Sequence, residues 1–314
     1  MVNQIFPVLK QWQETKALVI VKAAGEEAFC GGNDARGLVE AELRGESYAK
    51  KFYHVGLSLN ALIANYKIPY VVLMDGLVSG DGAGLTVHAE YSVCTERTVF
   101  SMPHCSFGFF PDMGATYFLP RLQGELGKYL GLTGHEIAGR DVQRINLATH
   151  YCDSNRIKDL ERELERCDTH EEVISVLRKH ESKDLDHFSL VPILEQIDHC
   201  FSGNTIEEIM KRLSEDPSTW AQESLKEMKY NSPMSLKVTL EALKRGRKMS
   251  LRDCLNMEYN MAQMAISHKD LYEGVRANII DKDRNPSWRP ATLEEVTDEH
   301  VLAFFPKMRI KSII

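Results

Sequence analysis

The chain has 314 residues, 43% of them apolar and 26% charged, with a net charge of −7. That length holds one large domain or two small ones, and that apolar share supplies a real core. The acidic balance argues against a nucleic-acid partner. No apolar run approaches the ~20 residues of a membrane span, and seven cysteines without a CxxC pair read as reduced thiols, neither a disulfide frame nor a metal site.

The opening MVNQIFPVLKQW has no Arg-rich or apolar leader. No targeting peptide is therefore expected, which leaves a cytoplasmic location open. Ile5, Val8, Leu9 and Trp12 recur at three- to four-residue spacing and predict a helix over 4–13. ALVIVKA (17–23) is a short β-branched run and predicts a buried strand. EEAFCGGNDARGLVE then reads as a glycine-rich turn entering a helix, and a second helical pattern covers 48–66. After Pro69, YVVLMDGLVSGDGAGLTVHAEY predicts a strand, a glycine cluster, and a helical or strand restart. SVCTERTVFSMP reads as two short strands about a turn at Thr95–Glu96, and 120–134 as a helix. Past about residue 155 strand signals vanish and helical periodicity dominates, as in IKDLERELERC, TIEEIMKRL and SLKVTLEALKRG. Short buried strands alternating with helices make an α/β pattern, here followed by a helical C-terminal half.

Two turns stand out. GGND (31–34) and SGDGAG (79–84) each follow a strand-like run. Glycines there permit positive φ and let backbone N–H groups approach a ligand. Neither turn has the GK[ST] of a phosphate loop, and Gly80-x-Gly82-x-Gly84 lacks the GxGxxG spacing of a dinucleotide fingerprint. Either could be a plain tight turn; together they could offer two N–H groups as an oxyanion hole. The third feature is FSMPHCSFGFFPDMGA (100–115), an apolar, loop-rich segment that places His104 and Asp112 where little other charge occurs. A polar side chain in an apolar loop beside an oxyanion hole is an acid or base candidate.

The order AFCGGNDAR, GLVSGDGAGLTVHA, FSMPxxxxGFFPDMGATYFLPRL, LTG and GRD resembles the enoyl-CoA hydratase/isomerase (crotonase) superfamily. The later stretches NSPMSLKVTL and YEGVRANIIDKDRNPSWRP resemble its 3-hydroxyisobutyryl-CoA hydrolase branch. The resemblance implies a ββα spiral core over 1–155, with the family's opening strand and turn missing, and a helical C-terminal region of the same domain over 156–314. It implies an acyl-CoA thioester as substrate, no separate cofactor because coenzyme A is part of that substrate, a homo-oligomer, and a mitochondrial location in valine breakdown.

Residue by residue, the resemblance assigns the carbonyl-binding N–H groups to Asn33 and Asp81 and the FPD aspartate to Asp112. The acidic residue of the family's MPE motif falls at His104, and a further acidic position, on the helix before KIPY, falls at Gly56. Gly32, Gly80, Gly82 and Gly56 would line the substrate. The hydrolase branch has glycine where Asn33 and Asp81 stand, while Pro111, Gly114, Arg121, Gly139 and Asp141 fit the scaffold. An Asp81 carboxylate ~6 Å from the developing oxyanion, at an effective dielectric of ~20, would cost roughly 3 kcal/mol, on the order of a hundredfold in rate. That cost disappears if the side chain points away or pairs with Lys or Arg.

Two roles are open to His104. Paired with Asp112, its imidazole can serve as a base near neutral pH; alternatively it is a neutral replacement held by backbone. Asp112 can act in catalysis or cap the following turn. Cys105 is not expected to form a dyad with His104, since adjacent side chains point apart. His88 reads as a packed core residue. Asp34 and Arg36 fit a helix N-cap and first turn, in a structural ion pair ahead of any contact with coenzyme phosphates. Three functions follow: a thioester hydrolase, a catalytically impaired relative kept for binding or assembly, and a hydratase or isomerase. The last is weakest, because Gly84 and His104 stand where hydratases carry two glutamates.

Overall fold

The structure, a computed structural model, describes residues 1–25, 27–183 and 188–306. The chain folds into two compact units, each built from three separate stretches. One takes Met1–Asn33, Val55–Ser101 and Glu136–Ser189; the other takes Asp34–His54, Met102–His135 and the chain from Leu190 on.

The first unit carries all eight strands described, in two four-stranded sheets. β1 (Val19–Lys22), β3 (Tyr70–Met74), β5 (Tyr91–Cys94) and β8 (His150–Tyr151) pair in that order, all parallel. β2 (Ala28–Cys30), β4 (Leu77–Ser79), β6 (Val99–Ser101) and β7 (Ile137–Ala138) form the other sheet, parallel except for the last pair. Successive strands thus alternate between the sheets through β6, and the chain advances as a spiral of strand pairs.

β3 shows why these residues make strands. YVVLM is apolar throughout and all five residues are buried, as expected of a parallel strand covered on both faces. Val71 and Leu73 pack with Tyr91 and Val93 of β5 against Leu160, Leu164, Val173 and Leu177, from helices Ile157–Leu164 and His170–His180. The Thr169 hydroxyl caps the second helix in a reciprocal box with Glu172, so its start is written in the sequence.

Several boundaries depart from the expected ones. Ala28–Cys30, expected within a turn, is a strand. The run after Pro69 makes two strands, because Gly76 turns the chain between sheets at φ 110° with Glu27 O only 2.9 Å from where a Cβ would stand. The glycine cluster becomes a 3-10 turn, Gly80–Leu85. The helix expected over 120–134 is a 3-10 turn, Leu119–Arg121, then a break at Gly124 (φ 57°), then helix Leu126–Thr133. β7 and β8 are two residues each, too short to leave a periodic signal.

No strand occurs in the second unit among the described residues. Four of its helices start where the sequence supplies a cap: Thr205, Ser218, Ser232 and Ser250 each accept from a backbone N–H in the first turn. Helix Pro233–Gly246 is its central element, buried along Met234, Leu236, Val238, Leu240 and Leu243. Gly246 lies so close to Thr116 O that a Cβ there would sit 1.8 Å away. A Cβ on Gly274 would likewise sit only 2.3 Å from the backbone of Phe107. These contacts fix the segment carrying His104 and Asp112. Residues 184–187 and 307–314 of the expected helical region lie outside the described residues.

Candidate active site

In the first unit the two glycine turns meet. β2 ends at Cys30 and runs into Gly32, at φ 103°, while β4 ends at Ser79 and runs into Gly80, at φ 54°. A Cβ on Gly32 would lie 3.4 Å from Ser79 O and 3.8 Å from Asp81 N; one on Gly82 would lie 2.5 Å from Cys30 O. The turns are adjacent because these positions lack side chains. Asn33 Nδ2 donates to Asp81 Oδ2 at 2.9 Å, so the Asp81 carboxylate turns toward the neighbouring turn's amide. Asp81 N belongs to the first turn of the 3-10 helix Gly80–Leu85. Burial pushes the Cys30 thiol up, and the negative charge of Asp81 adds to that. The Asn60 side chain donates to Gly84 O at 2.8 Å and ties the glycine turn to helix Tyr48–Ala64. Gly56 is buried one turn earlier on that helix, on the face that carries Asn60.

In the second unit the structure brings His104 and Asp112 together. His104 opens the 3-10 turn His104–Phe107, and its Nε2 lies 3.3 Å from Asp112 Oδ1. Their side chains are 11% and 1% exposed. The surroundings are aromatic: Phe109 lies 6.4 Å from the His104 ring, stacks on Phe110 at 4.5 Å and on Tyr53 at 5.7 Å. Burial pushes the Asp112 carboxyl up to about 8. Burial thus favours the protonated carboxyl, which can give a proton as well as orient the imidazole beside it.

Asp112 does not cap the turn that follows it. No donor among the described residues meets either carboxyl oxygen in hydrogen-bond geometry. The cap is Glu258, from helix Leu251–Ser267. Its Oε2 accepts from Gly114 N at 2.7 Å; its Oε1 accepts from Thr116 N at 2.9 Å and Thr116 Oγ1 at 2.6 Å. Glu258 is wholly buried, and burial pushes its carboxyl up to about 8 as well, with hydrogen bonds from Thr116 and Gly114 opposing and the charge of Asp112 adding. The sequence reading missed this residue. A signal was there: Cys254, Met261, Ala262 and Ala265 surround Glu258 at helical spacing and are buried, so a carboxyl sits on an apolar stripe.

The remaining candidates fall elsewhere. The Cys105 thiol points to Gly131 O and Thr239 Oγ1, both at 3.4 Å, and burial pushes it up to about 12, so it is no nucleophile toward His104. His88 is half-buried in a turn and is not a core residue, because the glycine turn ends at Leu85 without continuing as a helix. Asp34 caps helix Ala35–Leu43 through Gly37 N at 2.9 Å. Arg36 pairs one turn along that helix, with Glu40 at 2.7 Å.

The family model described as enoyl-CoA hydratase/isomerase matches residues 1–305. The chain is 42% identical to the mitochondrial 3-hydroxyisobutyryl-CoA hydrolase of Xenopus laevis and 43% identical to that of Homo sapiens. Each match covers 98% of this chain and 82% of the relative. Among solved structures, an enoyl-CoA hydratase from Rhodobacter sphaeroides superposes with a TM-score of 0.90 at 34% identity. A carnitinyl-CoA dehydratase from Mycobacterium thermoresistibile does so at 0.91 and 33%. Both cover 98% of this chain and 89% of the other.

Proposed function

This chain belongs to the enoyl-CoA hydratase/isomerase family, and from that membership we propose that it hydrolyses a short-chain hydroxyacyl-CoA thioester, 3-hydroxyisobutyryl-CoA before others, to the free acid and coenzyme A. The observation that carries the reading is the likeness along 98% of the chain to relatives named for that reaction. The reaction fits valine breakdown, and the relatives' names support a mitochondrial setting. No separate cofactor enters, because coenzyme A arrives with the substrate.

In this mechanism the backbone N–H groups of Asn33 and Asp81 hold the thioester carbonyl oxygen as it becomes an oxyanion. His104 takes a proton from the attacking water, and Asp112 orients its ring and shares the proton. The C–S bond then breaks, the carboxylic acid forms, and coenzyme A leaves as thiolate or thiol. Gly32, Gly80 and Gly82 keep backbone close to the acyl group, and Gly56 leaves room on its helix.

The test is release of free thiol from 3-hydroxyisobutyryl-CoA by the purified chain, beside Asp112→Ala and His104→Ala. Turnover in the parent and its loss in both variants supports the reading. Thioester binding without turnover would replace it with a binding protein, the role of a catalytically impaired relative. Light scattering of the same sample tests the expected homo-oligomer.

A further inference from the structure

Asp112 stands at the start of an unusual piece of backbone. Met113, which is not glycine, has φ 54°, and Gly114 follows at φ 88°. Two consecutive left-handed residues, one with a side chain, cost energy that neighbouring structure must supply. Gly114 is also the N-cap of helix Ala115–Phe118 and brings no side-chain cap of its own. Both roles fall to the buried carboxyl of Glu258, which accepts from Gly114 N, Thr116 N and Thr116 Oγ1 and so grips the turn on both sides of Ala115. Asp112 O is tied into the same turn by Ala115 N at 3.0 Å.

We propose that Glu258 is a positioning residue for the hydrolysis proposed above: by clamping Gly114 and Thr116 it holds the left-handed turn that keeps the Asp112 carboxyl against His104. It touches neither the substrate nor the reacting atoms. Its geometry makes a sharp demand on chemistry. Oε1 already takes two donors from Thr116, so Oε2 must remain an acceptor for Gly114 N–H. Glutamine fills the same volume but puts an NH2 group there, donor against donor. Glu258→Gln therefore removes the Gly114 bond and leaves the Thr116 bonds in place.

The activity arm of the test rests on the hydrolase reading; the spectroscopic arm does not. In Glu258→Gln the Gly114 amide should exchange with solvent faster than in the parent, and the carbon-13 signal of the Asp112 carboxyl should move. The kcat should fall about a hundredfold, the cost of misplacing a reacting group by ~1 Å. The KM should stay within about threefold, as for an interaction made in the transition state. An unmoved Asp112 signal or unchanged Gly114 exchange overturns the proposal, and so does a kcat within about threefold of an active parent. If Glu258→Gln fails to fold, Thr116→Val decides by the same readouts: it removes one of the three donors, so a smaller change in the same direction supports the clamp and none overturns it. An inactive parent would refute the hydrolase reading alone, with Gly114 exchange and the Asp112 signal still deciding the role of Glu258.

Discussion

His104 Nε2 lies 3.3 Å from Asp112 Oδ1, with both side chains nearly sealed from solvent and an aromatic wall of Phe109, Phe110 and Tyr53 beside them. In the proposed hydrolysis an imidazole and a carboxyl this close act as a coupled pair, so their contributions are expected not to be separable. We expect His104→Gln and Asp112→Asn each to lower kcat by ~10²- to 10⁴-fold, the usual span for general acid–base groups. The double variant should fall little further than the worse single one, because members of one proton relay are grossly non-additive. Thiol-release kinetics on the four proteins check this; independent, multiplying losses would separate the two residues.

Stability should depend on pH through the same carboxyl. Its folded value, about 8, lies above the ~3.9 of an unfolded aspartate. A raised folded value means that stability is fully present below the unfolded value and declines as pH rises toward the folded one. Between pH 4 and 8 the slope for one such group is at most about 1.4 kcal/mol per pH unit. Asp112→Asn removes this term. Denaturant melts should show the variant gaining on the parent from pH 4 to about 8 and holding a constant lead above that. A lead that shrinks with rising pH would mean that Asp112 is ionised in the folded protein.

Asp81 presents the opposite case, a carboxylate where it would oppose the proposed chemistry. It is turned toward Asn33 Nδ2 at 2.9 Å. Asp81→Asn keeps an acceptor for Asn33 and the backbone N–H while removing the charge. The repulsion estimate of roughly 3 kcal/mol then becomes a rate gain of up to about a hundredfold in kcat. A rate equal to or below that of the parent would show that the carboxylate is screened from the oxyanion or serves the substrate directly.

Much of this molecule can be read from sequence where one physical signal dominates. YVVLM is apolar without a break, short and β-branched, and reads as a covered strand. Thr169, Ser218 and Ser250 announce the helices they cap. The motif order singles out His104 and Asp112, and the structure pairs them. What escaped reading depends on contacts distant in sequence. Ala28–Cys30 becomes a strand only because β4 pairs with it, Ala28 with Leu77 and Cys30 with Val78, and its own three half-buried residues read as part of the glycine turn. Glu258 stands on an apolar stripe, but its partner Gly114 is 144 positions away, so the sequence marks the carboxyl as buried without saying what it holds. A four-residue helix without its own cap leaves a demand that local sequence does not express.

The last prediction concerns Gly82, where packing and chemistry meet. A Cβ there would sit 2.5 Å from Cys30 O and 2.9 Å from Cys30 Cβ, closer than real atoms approach, and the nearest obstacle is backbone. Gly82→Ala must therefore push the 3-10 turn Gly80–Leu85 away from the end of β2. Overpacking of this kind typically costs about 1–3 kcal/mol. The displaced turn carries Asp81 N, while Asn33 sits just past the end of β2, so the two N–H groups assigned to the oxyanion would no longer share a focus. Losing one such donor lowers kcat by ~10²- to 10³-fold. Gly31→Ala is the control, since a Cβ there meets nothing within 4 Å. Melting temperatures and thiol-release rates of both variants should show Gly82→Ala impaired in each measurement and Gly31→Ala near the parent. A Gly82→Ala protein that melts lower yet keeps its rate would detach the oxyanion role from this pair of turns.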